Sequence, residues 1–292
     1  MGRIKIWIDS SRPKTLWAAV APVIIGTAMA YGDGKFHFIA AFISLLAAIL
    51  IQIGTNYAND YFDYKKGADT KERIGPPRAT GAGLIRPQTM RDAFIIAFSL
   101  AFVIGLYLIC RAGWPILLIG IISIISGILY TGGPYPLGYK GLGDIFVLIF
   151  FGPVAVGGTY YVQALEITKP VIIAGLSPGL ISTALLTVNN LRDIHSDGKA
   201  GKKTLAVRFG AVFTRIEYIV AIVVACFMPA ILIVINPDHP YVLAAMSVFL
   251  FALPSIRAVL FDEISPRLNK VLADTGKILL IYSIIFALGW IF

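Results

Sequence analysis

Residues 36–59 read FHFIAAFISLLAAILIQIGTNYAN, after which the chain turns to Asp60-Tyr61-Phe62-Asp63-Tyr64-Lys65-Lys66. No Asp, Glu, Lys or Arg interrupts the first stretch, and its apolar residues do not alternate with polar ones. At 1.5 Å per residue, roughly 20 such residues cross a hydrocarbon core of about 30 Å. A strand of a membrane β-barrel would alternate apolar and polar residues instead. The stretch is therefore expected to be a spanning helix whose last turns deliver Asn59 and Asp63 to the membrane boundary.

The same ruler finds further charge-free runs at 15–32, 93–110, 112–139, 145–165, 170–191, 218–237, 239–256 and 278–292, making nine candidate spans. The run 112–139 is expected to end as a helix near Tyr130, because Thr131-Gly132-Gly133-Pro134-Tyr135-Pro136 is turn chemistry. The run 278–292 is short, but Lys277 can snorkel and extend it. The first run has the length of a span and lacks a small-residue cleavage site, so it reads as a helix rather than a signal peptide. Pro13, just before it, suits a first helical turn.

Composition agrees. The 292 residues are 58% hydrophobic and only 14% charged, against about 25% charged in soluble domains. A soluble enzyme, a disordered chain and a coiled coil are all excluded. Alternating through nine spans from a cytoplasmic N-terminus puts 22 of the 25 basic residues inside; only Lys35, Arg111 and Lys169 fall outside. Positive charge favours the cytoplasmic side. The expectation is an all-α polytopic membrane protein, residues 1–292 forming one domain, with the N-terminus cytoplasmic and the C-terminus outside. The net charge of +9 is a topology signal and calls for no nucleic acid. Cys110 and Cys226 fall in or beside spans, and the three histidines form no zinc pattern.

Two inside loops, 58–91 and 191–213, are long, and long loops in compact proteins tend to be functional. Asn59 and Asp63 are four residues apart and share a helix face. Asn189 and Asp193 repeat that spacing, and so do Asp193 and Asp197. One device thus occurs twice, about 130 residues apart, suggesting two four-helix repeats plus a ninth helix. Ligand sites often lie at such repeat interfaces. Aspartates at a membrane boundary are expensive unless used. Hard oxygen ligands select Mg²⁺, which takes one or two carboxylates and completes its shell with substrate phosphate. Nearby Arg and Lys hold the remaining phosphate charge. The pattern suits a lipid-linked diphosphate bridged by Mg²⁺ between two Asp clusters. A secondary transporter is the reading from another class, although transporters usually place charge near mid-membrane. A head-group transferase is disfavoured, because its Asp-Gly-xx-Ala-Arg signature is absent.

At these residues the chain resembles the UbiA superfamily of intramembrane aromatic prenyltransferases, with an Asn-xxx-Asp-xxx-Asp motif after helix two and Asp-xxx-Asp after helix six. The resemblance covers essentially the whole chain. It maps the first motif to Asn59 and Asp63 and the second to Asp193 and Asp197, with Asn190 just before. Gly67 occupies the usual third position of the first motif, and Asp69 stands two residues on as its replacement. That departure, with Arg73-x-Gly75-Pro76-x-Arg78, Gly201-Lys202-Lys203-Thr204-Leu205 and Gly138-Tyr139-Lys140-Gly141-Leu142-Gly143-Asp144, resembles the branch that prenylates 1,4-dihydroxy-2-naphthoate in menaquinone biosynthesis.

The resemblance implies a polyprenyl diphosphate donor, an aromatic acceptor and a site on the cytoplasmic side of the cell (inner) membrane, with 4-hydroxybenzoate as an alternative acceptor. It implies Mg²⁺ on Asn59, Asp63, Asp69, Asp193 and Asp197, and diphosphate contacts from Arg12, Lys66, Arg73, Lys140 and Lys202. For Arg12, Lys66 and Lys202 the competing role is a positive-inside anchor. Asp60, Asn190 and Tyr139 are expected to support these groups. His195 reads either as a solvated loop residue or as a proton handler.

Overall fold

The computed structural model describes residues 2–68 and 74–292, and their regular structure is helical throughout. α1 (Arg3–Ser11) ends at Arg12, whose backbone is left-handed with φ 54°. That turn lets α2 (Pro13–Gly32) begin at once, with Pro13 in its first turn. α3 (Phe38–Lys65) starts where His37 Nδ1 accepts from the Ala40 backbone N–H at 3.2 Å. α4 (Pro87–Ala112) and α5 (Trp114–Leu129) are joined by Gly113, whose φ of 80° suits glycine.

α6 (Gly143–Ile149) and α7 (Ala155–Ala164) form one rod through a wide helical turn at Phe150–Val154. Pro153 removes a backbone donor there, and Gly152 leaves helical geometry. α8 (Lys169–Arg192) is followed by the short α9 (Ile194–Lys199) and by α10 (Leu205–Ile235). A tight helical turn at Pro240–Ser247 runs into α11 (Val248–Phe261), and α12 (Leu268–Ile291) closes the chain.

Eight helical segments among the described residues are long and apolar enough to cross a membrane: α2, α3, α4, the α6–α7 rod, α8, α10, Pro240–Phe261 and α12. The ninth candidate, α5, has only 16 residues. The C-terminal run, short by the charge-free ruler, extends through Lys277 as expected: α12 reaches 24 residues, and Lys277 pairs with Asp274 at 2.9 Å.

The helices also run further into the expected loops. α3 holds Ala58–Lys65. Of 191–213, α9 and the start of α10 are helical, the latter capped by Thr204 Oγ1 accepting from the Val207 N–H at 3.3 Å. Charge ends a hydrophobic run without breaking a helix, so the charge-free ruler undercounts at the polar end.

The two halves pack unequally. α8 is the central helix, with 72% of its apolar window buried, against 17% for α3. The main core joins α2, α7, α8, α10, α11 and α12. Small residues permit this, as at membrane helix crossings generally. A Cβ at Gly179 would stand 2.5 Å from the Leu148 carbonyl oxygen, and one at Gly175 would stand 2.8 Å from Pro153 Cα. Trp290 belongs to this core rather than to a lipid-facing belt. It is 1% exposed and stacks on His239 with ring centroids 4.1 Å apart. The α3–α5 side borders a large cavity that also faces α2, α6, α7 and α8.

Gly179→Val is expected to force α6 and α8 apart at a cost of about 1–3 kcal/mol. It should lower the thermal midpoint of the detergent-solubilised protein, whereas Gly105→Val, where an added Cβ meets nothing, should leave the midpoint unchanged. Equal midpoints for the two variants would show that the crossing is not tight.

Candidate active site

α3 and α8 each end in an Asp-bearing turn, and these turns face one cavity of about 380 Å³. Asn59, Asp63, Asn190, Asp193 and Asp197 all line it, as do the cations Arg12, Arg78 and Lys202. Asp63 is 0% exposed. Its Oδ1 accepts from the Tyr139 hydroxyl at 2.6 Å, and its Oδ2 meets the Arg78 guanidinium and Lys202 Nζ, the latter at 3.3 Å. Lys202 also reaches Asp197 Oδ1 at 3.5 Å. One lysine thus ties the first Asp motif to the second.

Asp193 is held differently. Arg192, its chain neighbour, grips it with two hydrogen bonds of 2.9 and 2.6 Å. The same guanidinium donates to Asn189 Oδ1 at 2.7 Å and to Asn269 Oδ1 of α12 at 2.8 Å, so it is fixed from three directions. Asn59 Oδ1 accepts from Thr131 Oγ1 at 2.7 Å.

Other residues surround the cavity without lining it. Asp60 does not line the cavity and accepts from the backbone N–H groups of Ala79 and Thr80, both at 3.0 Å. It anchors the segment that presents Arg78. Lys66 Nζ donates to the Thr131 carbonyl at 2.6 Å and sits 4.4 Å above the Tyr139 ring. Burial lowers the Lys66 pKa, against the pull of Asp63, and Lys202 adds to the lowering. Burial, then the Asp63 charge and hydrogen bond, push the Tyr139 hydroxyl above its ordinary range, so it stays a donor at neutral pH.

Lys140 is exposed and packs 5.3 Å from the Tyr135 ring, outside the cavity. His195 is exposed as well and does not line it. Asp69 and Arg73 lie outside the described residues.

Arg78, Arg192 and Thr131 were not singled out as site residues from the sequence. Arg78 stood within the motif pattern and Arg192 directly before Asp193, so adjacency to the motifs was the available signal. Thr131 sits in a turn and gave none.

The donor set fits a hard divalent cation: buried carboxylate and amide oxygens with no thiol or imidazole among the cavity-lining residues. Among the described residues no three His, Cys, Asp or Glu side chains converge as a ready-made cage. That suits Mg²⁺, which takes few protein ligands and completes its shell with phosphate. Away from the charged end the cavity wall is apolar, with Leu108, Ile116, Ile119, Phe146 and Phe150 among its residues.

Comparison with known proteins agrees with this geometry. The profile of the UbiA prenyltransferase family matches residues 19–289. A 1,4-dihydroxy-2-naphthoate octaprenyltransferase of Haemophilus influenzae is 38% identical over 98% of this chain and 96% of its own. The Escherichia coli protein of the same name is 38% identical over 99% and 96%. A UbiA homolog from Archaeoglobus fulgidus, solved bound to GPP and Mg2+, shares the fold with a TM-score of 0.70 at 15% identity, covering 98% of this chain and 99% of that one.

Asp60→Ala is expected to strand two buried backbone donors, each costing about 1–3 kcal/mol, and to loosen the segment carrying Arg78. Trypsin should then cleave faster after Arg78 than in the wild type. Unchanged cleavage there would show that Asp60 does not anchor the segment.

Proposed function

Because the chain belongs to the UbiA prenyltransferase family, we propose that it transfers a polyprenyl group from polyprenyl diphosphate to 1,4-dihydroxy-2-naphthoate, releasing diphosphate and CO2 and giving the quinol form of demethylmenaquinone. One observation carries the reading: two Asp-bearing helix ends and three cations face a single cavity that continues into an apolar wall. A diphosphate fits the first part and a hydrocarbon tail the second. The names of the similar curated proteins supply the acceptor.

Asp63, Asp193 and Asp197, with Asn59 and Asp69, are the residues to hold Mg²⁺. A bound Mg²⁺ supplies Lewis acidity toward the leaving diphosphate. Arg12, Arg78 and Lys202 are the cavity cations placed to take the phosphate oxygens. Arg78 and Lys202 now neutralise Asp63, so a diphosphate that draws them away frees that carboxylate at the same time. Lys66 braces Tyr139 and Thr131 from outside the cavity, and Arg73 and Lys140 remain candidates for the arriving phosphate. Tyr130, Phe146 and Phe150 line the wall, and aromatic rings there suit an allylic cation.

In the membrane, α5 joins the eight longer segments as a ninth span. The N-terminus and the charged end of the cavity are then cytoplasmic and the C-terminus lies outside, as the basic residues require.

Asp63→Asn and Asp193→Asn are each expected to lower turnover at least a hundredfold while the protein still inserts. Membranes supplied with labelled prenyl diphosphate and 1,4-dihydroxy-2-naphthoate test this, with chelation of divalent ions abolishing activity and Mg²⁺ restoring it. Product from 4-hydroxybenzoate alone would reject the acceptor, and near-wild-type variants would reject the metal ligands.

Gly120 and Gly158 line the cavity with nothing within 4 Å of an added Cβ. Gly120→Leu should therefore narrow the tail path and shift products toward shorter prenyl chains in mass spectra. An unaltered length distribution would place the tail elsewhere.

A further inference from the structure

The segment before α6 and the segment before α10 meet at Asp63 and are tied to each other. Tyr139, from the first, gives its hydroxyl to Asp63 Oδ1 at 2.6 Å. Lys202, from the second, puts Nζ 3.3 Å from Asp63 Oδ2 and 5.0 Å from the centroid of the Tyr139 ring. Behind these two side chains the backbones join directly, the Lys203 N–H donating to the Tyr139 carbonyl at 2.9 Å. The Lys202 N–H donates to the Asp197 carbonyl at 2.9 Å, so the chain is held on both sides of the Lys202 side chain.

One side chain completes the joint. Arg208, in the first turn of α10, donates through Nε to the Lys203 carbonyl at 3.0 Å and through Nη2 to the Lys140 carbonyl at 2.9 Å. Its rigid planar fork thus spans both segments. A cation in a first helical turn lies at the positive end of the helix dipole, so α10 itself gains nothing from this arginine. Gly141 shows how close the approach is. A Cβ on it would stand 2.8 Å from the Lys203 carbonyl oxygen and 3.3 Å from Arg208 Nε, and its φ is 69°. Glycine alone meets both demands without strain.

Arg208 is exposed and does not line the cavity, so any effect it has on the site passes through the segments it grips. Ordering a lysine costs rotamer and backbone entropy. A Lys202 on a loose segment would charge that cost to the incoming substrate, whereas a segment fixed beforehand removes it from binding.

We propose that Arg208 is a positioning residue: its grip on the Lys203 and Lys140 carbonyls holds Lys202 and Tyr139 at Asp63 and so readies Lys202 for the diphosphate. This rests on the prenyl-transfer reading above.

The test is equilibrium binding of farnesyl diphosphate, with Mg²⁺, to the purified protein in detergent. Arg208→Gln should raise Kd about five- to tenfold, the worth of one hydrogen bond. Gly141→Ala, which keeps every charge and wedges the two segments apart, should raise it by a similar factor. Lys202→Met should weaken binding at least as much, and adding Arg208→Gln to it should change Kd by less than about twofold, because both changes remove the same contact. Lys203→Ala keeps the carbonyl that Arg208 grips and should stay within about twofold of wild type, as surface changes do. Wild-type affinity in Arg208→Gln or in Gly141→Ala, or losses that multiply in the double variant, overturns the proposal. A loss in Lys203→Ala as large as that in Arg208→Gln does so too, because it assigns the effect to surface charge. A wild-type protein that does not bind farnesyl diphosphate overturns the prenyl-transfer reading itself, and this proposal with it.

Discussion

A carboxylate with no solvent exposure, Asp63, stands at the edge of a body whose sequence is 58% hydrophobic. An ion buried so deeply costs several kcal/mol unless it is paired and hydrogen-bonded. Three of its partners come from three separate segments: Arg78 after α3, Tyr139 before α6 and Lys202 before α10. Neutralising this one charge draws those segments over the open end of the bundle. The cap is thus ordered around a charge as well as around a small apolar cluster at Ala79, Ile85 and Met90, and the groups that meet the charge are those a diphosphate would engage.

The two Asp motifs solve that problem in opposite ways, and the packing explains why. α8 lies in the middle of the dense half, so Arg192 beside Asp193 is itself buried and locked by Asn189 and by Asn269 of α12. Its ion pair is local and its geometry is set by helices. α3 borders the cavity, with only 17% of its apolar window buried, and Asp63 at its end is met by side chains that arrive from distant segments. One half of the site is a rigid platform, and the other is held by contacts that a ligand can replace. The repeat visible in the spacing of Asn59–Asp63 and Asn189–Asp193 is therefore a repeat of chemistry with unequal mechanical roles.

What was legible in the sequence follows the same division. Spans were readable because each must cross an apolar core, and a missing charge reports that directly; the run 36–59 is the plainest case. The Asp pairs were readable because helical spacing is local. Helix ends were not, since α10 continues through Arg208 and Arg215 where the charge-free ruler had stopped. Arg215 stays helical by giving its guanidinium to the carbonyls of Val259, Leu260 and Asp262 at the end of α11. Long-range partners were the least legible: nothing near Thr131 in the chain announces Asn59, 72 residues away. The place of Trp290 was illegible for a related reason: a tryptophan near a helix end suits both a lipid belt and a core, and only its burial and stacking on His239 decide between them.

The choice of cation at the bridge bears on how the site can open. An arginine locked by a bidentate contact, as at Asp193, has a fixed planar geometry and loses much when displaced. A lysine is a compact charge on a flexible stem. Lys202 stands 3.3 Å from Asp63 and 3.5 Å from Asp197, longer than the 2.6 Å contact of Arg192, and its charge is divided between two carboxylates. Moving it toward an incoming phosphate would exchange two long contacts for a strong one and remove one cation from both aspartates together. On the proposed function, Asp63 and Asp197 would be among the residues to hold Mg²⁺, which would replace that charge, so one lysine would link the binding of phosphate to that of the metal.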